Sequence, residues 1–214
     1  MADTKANEVL NNLVARHPAL TDAAGAIERA YQIVLACYRR GGKALLCGNG
    51  GSCADAEHIA GELVKGFMKK RPIEGELRQR LAALGEEGAR LADSLQMGLA
   101  AIPLNMQALS TAVINDLGGD LAFAQQVAAL GRPGDVLIGI TTSGNARNVR
   151  NAALVARSLD MSVVGLTGAG GGLLAPLCDA LIAVPERETY KVQELHLPAY
   201  HALCAMLEAA FFEQ

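Results

Sequence analysis

Five short apolar runs, each followed by a turn and then a helical pattern, limit how this chain can fold. They are KALLC (43–47), AAIPL (100–104), VLIGI (136–140), SVVGL (162–166) and ALIAV (180–184). Each is apolar along its whole length, as a strand must be when both faces of its sheet are covered. Their alternation with helical segments predicts a three-layer α/β/α architecture around a five-stranded parallel sheet. Helices are expected over 52–67, 106–115, 120–130, 145–158 and 190–212, the last one long. Hydrophobic residues make up 51% of the chain, aromatics 4%, and Trp is absent. The core must therefore be built from Ala, Leu, Val and Ile, which suits tightly packed helices on parallel strands.

The 214 residues are expected to form one domain, 1–214, with two additions. Residues 1–40 read as N-terminal helices broken at RHPALTD, where Pro18 and Asp22 stop one helix and start the next. The second, AIERAYQIVLACYRR, is apolar on more than one side, so it is either central or at an interface. Residues 74–98 are rich in Glu, Arg, Leu and Ala and predict a helical insertion, broken near Gly85 or Gly88 if it is two helices.

Net charge is −3, which gives no electrostatic case for nucleic acid as a partner. The basic run KKRPI (69–73) is short and reads as a solvated turn. The five cysteines, Cys37, Cys47, Cys53, Cys178 and Cys204, show no C-x-x-C spacing and read as reduced thiols in a cytoplasmic protein. Most are expected to be small core residues; Cys53, at the start of a predicted helix, is a candidate for a lowered pKa. The N-terminus has no signal-peptide character, and no uncharged apolar run reaches the length of a membrane span. The apolar surplus is expected in subunit contacts.

Three of the strands end in glycine turns: CGNGGS, TTSGN and TGAGGG. In α/β sheets, ligands bind at the carboxyl ends of strands. Glycine lets the backbone approach an anion, and the helix that follows adds a positive end. Ser52, Thr141, Thr142 and Ser143 add hydroxyl donors, so the turns describe a site for a phosphate monoester. Nucleotide motifs fail: no G-K-[ST] follows GNGGS, and Cys53 stands where the dinucleotide fingerprint needs glycine or alanine.

His58 and Glu62 are four apart on the helix that leaves the first turn, so they share a face. Such a pair serves proton transfer or a metal, or is a plain surface pair. In the last helix, YKVQELHLPAYHAL, Gln193, Leu197 and His201 fall along one stripe and His196 turns away. Glu194 is placed to orient His201. Pro198 is expected to kink this helix or confine its regular part to later residues.

The motifs CGNGGS, AEHIAGEL, VIND, TTSGN, LTG and QELHLPAYH, in that order, resemble the sugar isomerase (SIS) domain superfamily and within it the phosphoheptose isomerase family. The resemblance covers nearly the whole chain except 68 to 99. It implies a cytoplasmic homotetramer that interconverts D-sedoheptulose 7-phosphate and D-glycero-D-manno-heptose 7-phosphate for bacterial heptose biosynthesis. Carried over by motif, Ser52, Thr141, Thr142 and Ser143 hold the phosphate. Asn49, Gly50, Gly51, Asn115 and Asp116 line the sugar, with His58, Glu62 and Gln193 also reaching the substrate. Glu62 is the general base and His201 its acid partner. The family also holds zinc through the positions of His58, Glu62, Gln193 and His201, so these residues have two implied roles.

Three positions depart from the family pattern. Ala146 replaces a common serine after TSGN, Gly66 stands where many members have arginine, and Pro198 interrupts the last helix. Two other readings stay open. One is a non-catalytic SIS-domain protein that binds the replication initiator; relatives of that kind lack the carboxylate and the final histidine, both present here. The other is an isomerase or sensor of a different sugar phosphate.

Overall fold

The computed structural model describes residues 2–105 and 107–212. Position 106, where the helix after the second apolar run was expected to begin, lies outside them. Five strands, β1 (Ala44–Gly48), β2 (Ala101–Pro103), β3 (Val136–Ile140), β4 (Ser162–Thr167) and β5 (Ala180–Ala183), form one sheet in the order β2-β1-β3-β4-β5. All four neighbouring pairs are parallel. The VLIGI strand β3 is central and buried at every position. The shorter β2 lies at the edge, where Pro103, lacking an amide, costs the sheet nothing.

The helices are α1 (Ala2–Arg16), α2 (Ala24–Arg39), α3 (Gly51–Val64), α4 (Gly75–Ala82), α5 (Glu86–Ser94), α6 (Gln107–Leu117), α7 (Ala122–Leu130), α8 (Arg147–Ser158) and α9 (Thr189–Phe212). RHPALTD becomes a short 3-10 turn, Pro18–Ala23, between α1 and α2. The 74–98 segment is two helices, α4 and α5, parted at Gly85, whose φ is 94°.

Strand side chains alternate between two cores. Leu46, Ile138 and Val164 face one way, onto Ile27, Tyr31 and Val34 of α2, Ile59 of α3 and Leu203 of α9. Leu45, Leu137 and Val163 face the other way, onto Phe123 and Val127 of α7 and Val149 and Ala152 of α8. This is the physical reason the runs are apolar throughout: every residue of a central strand meets one core or the other.

Four expectations change. First, α2 and α9 are central; Ile27, Ala30, Tyr31 and Val34 are fully buried, and Ala202 to Glu208 of α9 are buried in succession. The apolar faces of these helices pack into the chain's own core. Exposed large apolar side chains include Tyr190 and Leu197 on the first half of α9, and Leu109, Ile114 and Leu117 on α6. Second, Pro198 lies within one continuous helix. Its ring removes the amide that would bond the carbonyl of Glu194, and Glu194 is exposed, so solvent can take that carbonyl. Third, KKRPI is not wholly solvated: Arg71 is among the most deeply buried side chains. Fourth, the thiol of Cys53 is raised, by burial and by the nearby carboxylate of Glu57. None of the five cysteines is in a disulfide.

Candidate active site

The carboxyl ends of β1, β3 and β4 stand side by side, because Gly48 pairs with Ile140 and Ile140 with Leu166. The three glycine turns therefore form one rim. At the first, the chain turns through Gly50, with φ 55°, and enters α3 at Gly51. The turn is tight: a Cβ on Gly48 would lie 2.4 Å from the carbonyl oxygen of Ser52. At the second, Gly144 has φ 69° and passes so close to the third turn that a Cβ there would sit 2.1 Å from the carbonyl oxygen of Gly171. Only glycine permits both the dihedral and the approach.

Ser52 and Thr141 are buried on this rim, Thr142 is half-buried and Ser143 is exposed. The Ser143 hydroxyl accepts the amide N–H of Asn145 at 3.1 Å. The Thr142 carbonyl accepts the amide of Gly168 at 2.9 Å, which ties the second and third turns. Asn49 and Asn148 exchange two side-chain hydrogen bonds, 2.9 and 2.8 Å, which tie the first turn to the start of α8. Neither α3 nor α8 carries a side-chain N-cap, so the positive ends of both helices face the rim. Ala146 is the N-cap residue of α8 and has no hydroxyl to offer.

The histidine–glutamate group stands further along α3. His58 Nε2 lies 3.1 Å from Glu62 Oε1 and 3.3 Å from His201 Nε2 on α9. Lys65 Nζ donates to Glu62 Oε2 at 3.1 Å, placing a cation beside the carboxylate next to Gly66, the position where the family often has arginine. The ring of Phe67 lies against that of His201, with centroids 5.3 Å apart. Burial, with help from His58, holds His201 below the ordinary imidazole range, against a smaller opposing pull from Glu62. Glu194 and His201 line a common cavity of about 430 Å³, together with Asn12, Arg16 and His17 at the end of α1. The nitrogen partner of His201 is His58, not Glu194. The residues of the glycine turns do not line this cavity.

Gln193 packs over the first residue of α3, where a Cβ on Gly51 would meet its Nε2 at 2.3 Å. The structure thus brings His58, Glu62 and His201 together, sets Gln193 over the first turn, and leaves Asn115 and Asp116 on the exposed side of α6. There Asn115 donates to Asp116 at 2.8 Å, and neither bonds to the histidine–glutamate group.

Four residues with a part in this arrangement carried no signal in the sequence reading. Arg71 donates from Nη2 and Nη1 to the carbonyl oxygens of Glu62 and Leu63, at 3.1 and 2.9 Å, and from Nε to Glu208 at 2.9 Å. Glu208 also accepts the amides of Phe67 and Met68, at 2.9 and 2.8 Å. Arg71 therefore caps the carbonyl end of α3 and joins it to α9, fixing the turn of helix that carries Glu62. Burial raises the pKa of Glu208, but the two amides and Arg71 outweigh it, and the carboxyl lies below its usual range. Tyr200 and Asp55 are the other two: Tyr200 Oη lies 3.0 Å from His58 Nδ1 and 3.2 Å from Asp55 Oδ1. A lone carboxylate in the apolar stretch ALCAMLEAAFF is the signal that would have marked Glu208.

Zinc needs N and O donors at about 2.0–2.2 Å, so neighbouring donors in a tetrahedral site stand roughly 3.3 Å apart. The spacings from His58 Nε2 to His201 and to Glu62 match two edges of such a site. A complete group of three His, Cys, Asp or Glu ligands is not formed among the described residues. The donor chemistry fits zinc, and the Gln193 amide lies against Gly51 at the start of α3.

A model of the SIS domain matches residues 10–92 and 82–168. A phosphoheptose isomerase of Rhodospirillum rubrum is 43% identical over 192 residues, 89% of each chain. The chain belongs to the phosphoheptose isomerase family. Two solved structures agree with this assignment. The phosphoheptose isomerase of Neisseria gonorrhoeae superposes with a TM-score of 0.72 at 34% identity, covering 96% of this chain and 97% of that one. The enzyme of Francisella tularensis gives 0.72 at 31% identity, covering 97% and 98%. No described helix is long and apolar enough to cross a membrane.

Proposed function

We propose that this chain is an aldose–ketose isomerase that interconverts D-sedoheptulose 7-phosphate and D-glycero-D-manno-heptose 7-phosphate in bacterial heptose biosynthesis. The observation that carries the reading is the meeting of Glu62 and His201 around His58, from helices far apart in sequence, in a chain of this family. In the reaction Glu62 takes the proton from one of C1 and C2 and returns it to the other through an ene-diol. His201, kept neutral by burial, donates to and accepts from the two oxygens as the carbonyl and hydroxyl exchange places. Ser52, Thr141, Thr142 and Ser143 with the uncapped helix ends hold the phosphate, which keeps the sugar in register. Asn49, Gly50 and Gly51 line the sugar. Asn115 and Asp116 join them when α6 meets another subunit.

The assembly proposed is a cytoplasmic homotetramer of single-domain chains, in which about 74–98 is an added helical insertion. Its support is the apolar face of α6, which the chain leaves exposed. Zinc is proposed on His58, Glu62, Gln193 and His201, where it would polarise the sugar's oxygens.

The test is turnover in deuterated water. The wild type is expected to convert sedoheptulose 7-phosphate, with deuterium entering the carbon that receives the proton, and to prefer it to hexose and pentose phosphates. Glu62→Gln should lower kcat by about 10²–10⁴-fold with KM little changed. If zinc is held as proposed, the same variant also loses metal on purification. Full turnover by Glu62→Gln ends the proposed roles of the pair.

A further inference from the structure

Behind the histidine–glutamate group runs a line of hydrogen-bonding atoms with no part in the roles given so far. It begins at His58 Nδ1, passes the Tyr200 hydroxyl at 3.0 Å and ends at Asp55 Oδ1 at 3.2 Å. Tyr200 is buried and its ring stands edge-on to that of His58, with centroids 5.5 Å apart. Asp55 is half-buried, and its other oxygen, Oδ2, is buried with no hydrogen-bond partner.

The line has two possible directions, because a phenol has one proton. If Tyr200 donates to His58, Asp55 is left with no side-chain donor on either oxygen. If Tyr200 donates to Asp55, its oxygen is free to accept, and His58 must supply the proton from Nδ1. The second direction gives the half-buried carboxylate its one charge-assisted bond, and it leaves neither Tyr200 nor Nδ1 unmatched.

We propose that Asp55 and Tyr200 are positioning residues that hold the His58 ring proton on Nδ1, so that Nε2 is the one nitrogen free to exchange a proton or bind a metal. That nitrogen faces both Glu62 and His201. A lone pair on Nε2 accepts from His201 when the site rests, and from Glu62 once the carboxylate has taken the substrate's proton. The same lone pair is the one a zinc ion needs. A carboxylate that fixes an imidazole through its far nitrogen is a general means of aiming a working histidine; here a tyrosine hydroxyl carries the effect across the gap. The inference rests on the proposed active site but concerns how His58 is set within it.

The experiment reads the tautomer directly. Metal-free, substrate-free protein labelled with ¹⁵N is examined by long-range proton–nitrogen NMR at a pH where His58 is neutral, with His58→Gln used to assign its signals. The wild type is expected to show the proton on Nδ1. Tyr200→Phe removes the acceptor, and the proton should move to Nε2, where Glu62 accepts it. Asp55→Ala keeps the tyrosine ring in its packing and frees its proton for Nδ1, so it should move the His58 proton to Nε2 as well. Both variants should lose roughly 10–100-fold in kcat or in zinc affinity, with KM for the sugar phosphate unchanged. A wild type carrying the proton on Nε2, or a tautomer unmoved in Asp55→Ala, overturns the proposal. A Tyr200→Phe protein that fails to fold leaves Asp55→Ala to decide. Activity retained in Glu62→Gln would sink the active-site reading instead, and would not alter the tautomer result.

Discussion

Replacing Arg71 tests whether the end of α3 is held where the structure places it. The side chain is fully buried and that of Glu208 is 3% exposed, so solvent cannot take over either charge. Arg71→Met keeps much of the volume. It removes the ion pair, the two bonds to the carbonyls of Glu62 and Leu63, and the stacking of the guanidinium 4.5 Å from the Phe212 ring. Stranding one partner of a buried pair costs about 3–5 kcal/mol. For a chain of this size each kcal/mol is worth about 2–4 °C in Tm, so a fall of roughly 6–20 °C is expected. Urea unfolding followed by circular dichroism, at fixed protein concentration because subunit association adds to stability, measures the free energy. Adding Glu208→Gln should recover much of the loss, since an amide oxygen still accepts one backbone N–H and no charge is stranded. The Glu62 backbone is released too, and a displacement of about 1 Å at a catalytic group can cost about 10²-fold in rate, so kcat should fall more than KM rises. A loss under about 1 kcal/mol, or a double variant as unstable as the sum of the singles, would refute the reasoning.

Ser143→Ala is expected to raise KM for the sugar phosphate more than it lowers kcat, as measured by steady-state kinetics, because a phosphate contact is uniform along the reaction. Acid should destabilise the protein in two stages in a Tm-against-pH series. Burial lowers the folded pKa of His196 and His201, so their stability is complete above the unfolded value near 6.5 and declines as pH falls below it. The depressed pKa of Glu208 adds stability that is present above about pH 4.3 and is lost as pH falls through its folded value. His196→Gln should weaken the first stage and leave the second. Light scattering at micromolar concentration should give a tetramer, and Ile114→Glu with Leu117→Glu should dissociate it; a wild-type monomer would end the assembly proposal.

The sheet was legible because its central strands meet a core on each face, which writes itself as an uninterrupted apolar run at VLIGI and SVVGL. The break at Gly85 was legible for a local reason too, since the turn between α4 and α5 needs a positive φ. His58, Glu62 and His201 could be picked out by helical spacing and family motif. Arg71 could not, because its neighbours Lys69 and Lys70 are exposed and its partner Glu208 is distant in sequence. Burial is decided by where α9 passes, which the run KKRPI does not encode. Tyr200 carried no signal of its own; its hydroxyl matters only because Asp55 and His58 lie opposite. The assignment of α2 and α9 to the interior was open for a similar reason, as a helix apolar all round reads alike in a core and in an interface.

The order of the strands also bears on the route by which the chain reaches this fold. β3, β4 and β5 are consecutive and adjacent, so each joins its neighbour after closing a short loop. β1 pairs with β2 and β3, Leu46 lying opposite Pro103 on one side and Ile138 on the other, so both its partners are remote in the chain. Closing longer loops costs more entropy, and such contacts tend to form late. The β3–β5 half is therefore expected to gain protection first in pulse-labelled hydrogen exchange during refolding, and β1 to dock onto it afterwards. The first glycine turn and α3, with Ser52, His58 and Glu62, would arrive with β1, so binding competence should appear at the end of folding and lag behind the bulk of the secondary structure.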